Sequence, residues 1–284
     1  MSTFDYQRYL ASKRTVEQRA LSQHVWSTMM DSLRRGANLP LQILELGGGI
    51  GSMALRLMEE AGDLAIHYSL VEGSEENLDL AVQEVESKNS RWKFEFSKTD
   101  IYDFLRAGPG KKWDLLIAHA ILDLLDLADA IPQFLTHIKP SGYFYFPVNY
   151  DGLTIFEPQV DDSFEDEVLA FYHRSMDERL VNGKRSGDSR TGRRLLPGLQ
   201  SNGAEILAAG SSDWVVYPVD GKYPADEKFF LECILQTIED ELRKANDLDQ
   251  AELDQWLKTR RIQLANGELI YIAHQLDVFG VLRR

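Results

Sequence analysis

The hydrophobic rhythm of the chain changes twice. Between residues 6 and 33, apolar groups fall at Tyr6, Tyr9, Leu10, Val16, Ala20, Leu21, Val25, Met29 and Leu33. That spacing predicts one or two amphipathic helices. Gly36, Asn38 and Pro40 then break the pattern. From there short apolar runs alternate with helical stretches. "LQILEL", "AIHYSLVEG", "WKFEFSKTD", "WDLLIAHA" and "GYFYFPVN" predict five strands between residues 41 and 149. "SMALRLMEEAG", "EENLDLAVQEVESKN" and "DLADAIPQFLTHIK" predict helices among them. Strands alternating with helices imply a parallel sheet covered on both faces, an α/β fold.

After Asp151 the alternation stops. A helix is predicted over "FEDEVLAFYHRSMDERLV", a strand region over "AEILAAGSSDWVVYP", helical structure over 228–259 and a last strand over "ELIYIAHQLDVFG". We read a single domain over 1–284. It has a helical cover at 1–38, a core at 39–150, a substrate-side insertion at 151–200 and the C-terminal half of the sheet at 201–284.

Composition narrows the function. Hydrophobic content of 44% and charged content of 27% suit a soluble globular chain, and 284 residues can bury a sizeable core. No apolar run is long enough to span a membrane, and "MSTFDYQRYLASKR" lacks the apolar heart of a signal peptide, so a cytoplasmic protein is expected. The single cysteine, Cys233, offers neither an internal disulfide nor a metal cluster. A net charge of −14 argues against a nucleic acid partner. Charge is nevertheless uneven: "FEPQVDDSFEDE" (156–167) carries six acids and no base, and "GKRSGDSRTGRR" (183–194) five bases and one acid. The basic run opposes the sign of the whole and can hold an anionic acceptor, with Arg190 and Arg193 as candidate contacts; a solvated loop is the plainer alternative. Asn149, at the end of the fifth strand, is a third candidate acceptor contact.

The most specific feature is "ILELGGGIGSMALRL". Gly47, Gly48, Gly49 and Gly51 lie where a first strand turns into a helix, a place where glycine lets a ligand approach the backbone. A dinucleotide pyrophosphate and an adenosyl sulfonium are the two usual ligands. The dinucleotide pattern G-x-G-x-x-G fits incompletely, because Ser52 stands three residues after Gly49. Glu72, ending the second strand before Gly73, can accept from both ribose hydroxyls of either ligand. Asp100 can accept from an adenine amino group, or simply cap a helix.

In this order, "ILELGGGIGSMALRL", "LVEGS", "TDIYDF", "WDLLIAHAILDLL" and "IKPSGYFYFP" resemble the motifs of class I S-adenosylmethionine-dependent methyltransferases. The resemblance covers residues 41–150 and implies a Rossmann-like seven-stranded sheet whose last strand is antiparallel. It implies that Glu45 and the glycines flank the methionine portion of S-adenosyl-L-methionine, that Glu72 holds the ribose, and that Asp100 and Ile101 meet the adenine. Ala118 and His119 are then beside the sulfonium, with S-adenosyl-L-homocysteine as product. "AHAI" (118–121) stands where base N-methyltransferases carry an Asn/Asp-Pro-Pro-aromatic motif, so a small-molecule acceptor is expected. His119 is the candidate catalytic base, or a wall of the pocket. A lid reading of the N-terminal helices lets Tyr9 and Arg19 reach the cofactor carboxylate, since a spacing of ten puts both on roughly one helical face. His173 is expected at the surface or an interface. An NAD(P)-dependent oxidoreductase and a non-catalytic S-adenosylmethionine-binding protein are the alternatives; fold alone does not separate them.

Overall fold

The computed structural model describes residues 5–36, 39–88, 91–108, 110–160, 162–181, 183–245 and 247–283. Asn38, expected at the break after the N-terminal helices, lies outside the described residues. Three helices open the chain, α1 (Tyr6–Ser12), α2 (Arg14–Ala20) and α3 (Gln23–Gly36). The break between α2 and α3 is fixed from far away in sequence: the Ser22 N–H donates to the Asp277 carboxylate at 2.8 Å.

The alternating core follows: β1 (Leu41–Leu46), α4 (Ser52–Ala61), β2 (Ile66–Glu72), α5 (Glu75–Glu86), β3 (Lys93–Lys98), α6 (Ile101–Arg106), β4 (Trp113–Ile117), α7 (Leu127–Thr136) and β5 (Ile138–Glu157). The fifth strand runs well past residue 149, because its far half pairs with the last strand of the chain. Next come α8 (Asp162–Asp177), a short hairpin of β6 (Leu180–Val181) and β7 (Lys184–Arg185), and α9 (Thr191–Ser201). The expected strand region after 204 is two strands, β8 (Ala204–Ser211) and β9 (Trp214–Val216). The helical stretch at 228–259 is likewise two helices, α10 (Glu227–Leu242) and α11 (Gln250–Asn266). Asp249 starts the second by accepting from the Ala251 and Glu252 amides. β10 (Ile270–Leu282) ends the sheet.

The sheet order is β3-β2-β1-β4-β5-β10-β8, with β9 pairing a further stretch of β10. β3 through β5 are parallel, and β10 is antiparallel to β5, β8 and β9. The antiparallel last strand is as the family resemblance implies, and β9 adds an eighth strand to the seven it implies. Side chains alternate across it as strand geometry requires: Leu41 and Ile43 enter one core layer, Leu44 and Leu46 the other. The first layer holds Trp26, Met29, Leu57 and Phe230; the second holds Ile131, Phe134, Leu195 and Leu199. The chain leaves β1 on one side, toward β2, and returns on the other, at β4. Such a reversal opens a crevice at the carboxyl ends of those two strands, the usual ligand position in open α/β sheets. No described helix is long and apolar enough to cross a membrane.

Candidate active site

The turn after β1 fills this crevice. Gly47, Gly49 and Gly51 have φ of +68°, +52° and +79°, values that side-chain-bearing residues adopt at a cost. At Gly48 the limit is space, since a Cβ would lie 2.5 Å from Leu70. Glu72 closes the turn from the end of β2. Its carboxylate accepts the Gly49 and Ser74 N–H groups, both at 2.9 Å. Around this carboxylate is a cavity of about 210 Å³ lined by Gly47–Gly49, Glu72, Ser74, Asn77, His119 and the N-terminal residues Leu10, Lys13 and Glu17.

The other expected residues are placed as follows. Glu45 is 1% exposed beneath the turn, off the lining, and accepts the Tyr68 hydroxyl at 2.7 Å. Burial pushes its carboxyl up to about 8, against the lowering effect of that hydrogen bond. Asp100 is exposed and caps α6, accepting from the Tyr102 and Asp103 amides. Gly73 is next to it, 3.8 Å separating its Cβ position from the Asp100 Cα. Ile101 packs its Cδ1 3.3 Å from the Cβ position of Gly47, forming an apolar side to the turn. Ala118 is fully buried, and it is His119 and Ala120 that reach the cavity.

His119 Nε2 lies 3.6 Å from Glu17 Oε2, shielded from solvent and without a hydrogen-bond partner. Burial lowers its pKa, and Glu17 only partly offsets this, so the site favours the neutral ring. Lys13 is 3.0 Å from the other oxygen of Glu17. Burial pulls its ammonium down, but Glu17, with Tyr9 and Tyr6, more than compensates and the net shift is upward.

The lid therefore presents Lys13 and Glu17 to the glycine turn. Arg19 is held elsewhere: it meets both oxygens of Glu227, at 2.6 and 3.0 Å, and Thr15 donates to the same carboxylate at 2.7 Å. Tyr9 borders a second cavity.

That second cavity, about 350 Å³, was not legible from any motif. Tyr9, Tyr150, Tyr172, Trp214 and Tyr271 form its walls, and Asp123 and Arg179 lie on them. Tyr6, Lys13, Ala120 and Leu124 line both cavities, so the two meet beside the end of β4. Ala120 and Val148, at φ +51° and +60°, both border the second cavity. A β-branched residue in that region is strained. Two hydrogen bonds hold the strain in place: Ala120 N–H to the Pro147 carbonyl at 3.1 Å, and Val148 N–H to Asp277 at 2.8 Å. His173 is half-buried rather than at the surface, with Nε2 2.7 Å from the Tyr150 hydroxyl.

The residues expected at the acceptor are outside this lining. Asn149 is fully buried and donates to the Phe146 and Leu276 carbonyls. Arg193 is bound to Asp151, at 2.8 Å to its carboxylate and 3.1 Å to its carbonyl. Arg190 is exposed at the start of α9.

No protein-family model matches the chain, and no curated protein matches it by sequence. Among solved structures it is similar to YjhP from E. coli, with 18% identity over 97% of this chain and 99% of that one and a TM-score of 0.48. It is similar to geranyl diphosphate C-methyltransferase from Streptomyces coelicolor A3(2), solved with Mg²⁺, geranyl-S-thiolodiphosphate and S-adenosyl-L-homocysteine. There the identity is 11% over 90% of this chain and 74% of that one, with a TM-score of 0.47. The mycolic acid cyclopropane synthase CmaA1, complexed with S-adenosylhomocysteine and CTAB, gives 11% identity over 89% and 83%, with a TM-score of 0.49.

Proposed function

We propose that this chain is an S-adenosyl-L-methionine-dependent methyltransferase that acts on a small-molecule acceptor and releases S-adenosyl-L-homocysteine. The observation that carries the reading is the meeting of two cavities at Ala120, one built on the glycine turn and Glu72, the other walled by aromatic rings. The residues at the turn fit the cofactor: Glu72 has lone pairs beyond the two amides it accepts, suiting ribose hydroxyls, and Ile101 gives an apolar side for a flat base. The buried Lys13–Glu17 pair offers an ammonium and a carboxylate for an amino-acid end.

When bound, the cofactor would supply a methyl group on a cationic sulfonium, whose leaving group departs as a neutral thioether without needing a proton. The work left to this chain is alignment and exclusion of water. Ala120 and Leu124 set the approach between the two cavities, and the α1–α2 lid covers both. His119 borders the cofactor cavity and not the aromatic one, which favours a wall over a base.

Calorimetry tests this directly. S-Adenosyl-L-homocysteine should bind the folded protein, and Glu72→Ala should weaken it by roughly 1–3 kcal/mol through lost hydrogen bonds to a charged acceptor. Binding of NADH together with no affinity for S-adenosyl-L-homocysteine would instead establish the oxidoreductase reading.

A further inference from the structure

Four charged side chains reach the aromatic cavity: Lys13, Asp123, Arg179 and Asp188. Two are satisfied within the protein. Lys13 pairs with Glu17 at 3.0 Å. Asp188 accepts the Arg190 N–H at 2.8 Å and pairs with Arg194. The other two are not. Among the described residues the Asp123 carboxylate has no side-chain partner, and its Oδ1 is shielded from solvent without a hydrogen bond. The Arg179 guanidinium likewise has no ion pair among them.

These two groups share one wall. Both flank Gly187, whose Cβ position is 3.5 Å from the Asp123 carbonyl and 3.8 Å from Arg179 Cβ. They are near enough to influence each other: burial pushes the Asp123 carboxyl up, and Lys13 and Arg179 act against it. They nevertheless do not touch. A shielded carboxylate oxygen without a partner, such as Asp123 Oδ1, is costly, and opposite charges left apart in one cavity complement a ligand that carries both signs. Five rings, those of Tyr9, Tyr150, Tyr172, Trp214 and Tyr271, make up much of the remaining lining, with Met176 and Ile234 among the aliphatic groups beside them. Such surfaces favour a flat apolar body and an ammonium over a ring face.

We propose that this cavity binds an aromatic zwitterion, a small molecule whose ammonium meets Asp123, whose carboxylate meets Arg179 and whose ring packs among the tyrosines and Trp214. Taking the bound molecule as the methyl acceptor rests on the methyltransferase reading; its binding does not.

Three probes separate the contributions: phenylalanine carries both charges, 2-phenylethylamine only the ammonium and 3-phenylpropionate only the carboxylate. Each is titrated by calorimetry into the full chain and into Asp123→Asn and Arg179→Gln, with S-adenosyl-L-homocysteine titrated separately into all three. Phenylalanine should bind about tenfold or more tighter than either single-charge probe, the size of one charged hydrogen bond. Asp123→Asn should weaken phenylalanine and 2-phenylethylamine by about 10–100-fold and leave 3-phenylpropionate alone. Arg179→Gln should do the reverse. Equal affinities for the three probes, losses that ignore probe charge, or no binding of phenylalanine overturn the proposal. Unchanged S-adenosyl-L-homocysteine affinity in the variants establishes that they fold. If that ligand fails on the unaltered protein while the probe ranking holds, the methyltransferase reading falls and the zwitterion site stands.

Discussion

Glu45 shows how one residue serves the turn without lining the cavity. Burial raises its carboxyl to about 8, whereas in the unfolded chain it titrates near 4.5. The folded state therefore holds a proton that the unfolded state has lost, and stability falls as pH rises between those two values. Glu45→Gln keeps an acceptor for the Tyr68 hydroxyl and removes that slope. In urea titrations at pH 5 and pH 9, the variant should lose less stability between the two conditions than the parent chain. Equal losses in both would mean that Glu45 is ionised in the folded protein. His119 is the second residue-scale case. As a wall, its replacement by asparagine should keep turnover within about tenfold and preserve the low-pH limb of the profile. A general base would lose about 10²–10⁴-fold. A loss of that size at unaltered S-adenosyl-L-homocysteine affinity would make His119 the base.

At the scale of elements, the lid is the part least secured by its own sequence. Helices of seven residues are too short to persist alone, so α1 and α2 depend on being fastened to the rest of the fold. At the start of α10 the ties are Thr15 and Arg19 on Glu227, which is 0% exposed, and Arg8 on Asp226 at 2.8 Å. Arg19→Ala should leave one of the deepest carboxylates in the protein short of its cation, at a cost of about 1–3 kcal/mol. Amide exchange over residues 6–20 should then speed up more than exchange in α11. Uniform acceleration across the chain would mean a global loss of stability and no separate latch. The same elements mark what was legible in the sequence. The alternating strands, the glycine turn and Glu72 are local patterns, each written within a few residues, and could be read directly. Arg19 could be seen as a lid residue, but its partner Glu227 is more than 200 positions away and no periodicity links them. The far half of β5 escaped for a similar reason. Gly152, at φ +69°, interrupts the stretch 150–157, and only pairing with β10 makes a strand of it. The aromatic cavity was beyond reach altogether. Its walls come from α1, the segment after β4, β5, α8, β9, α10 and β10, which the fold alone assembles.

At the scale of the whole molecule, the two cavities share their dividing walls. Tyr6, Lys13, Ala120 and Leu124 line both, and Asp277 joins the lid to the second cavity by accepting from Ser22 at one oxygen and Val148 at the other. On the proposed reading, a ligand on the glycine turn should order surfaces that the acceptor also needs. Thermodynamic linkage makes any such effect reciprocal: each ligand tightens the other by the same factor, typically 5–150-fold for coupled sites. With S-adenosyl-L-homocysteine at saturation, amide exchange should slow over residues 6–20, 118–126 and 146–150, while α11, which lines neither cavity, stays as it was. The phenylalanine dissociation constant should fall in the same experiment, and that of S-adenosyl-L-homocysteine should fall equally when phenylalanine saturates. Lys13→Ala removes one of the four shared residues and should shrink both changes together. Protection confined to the glycine turn, with phenylalanine affinity unmoved by the first ligand, would make the cavities neighbours without coupling. The lid would then be a cover and not a connection.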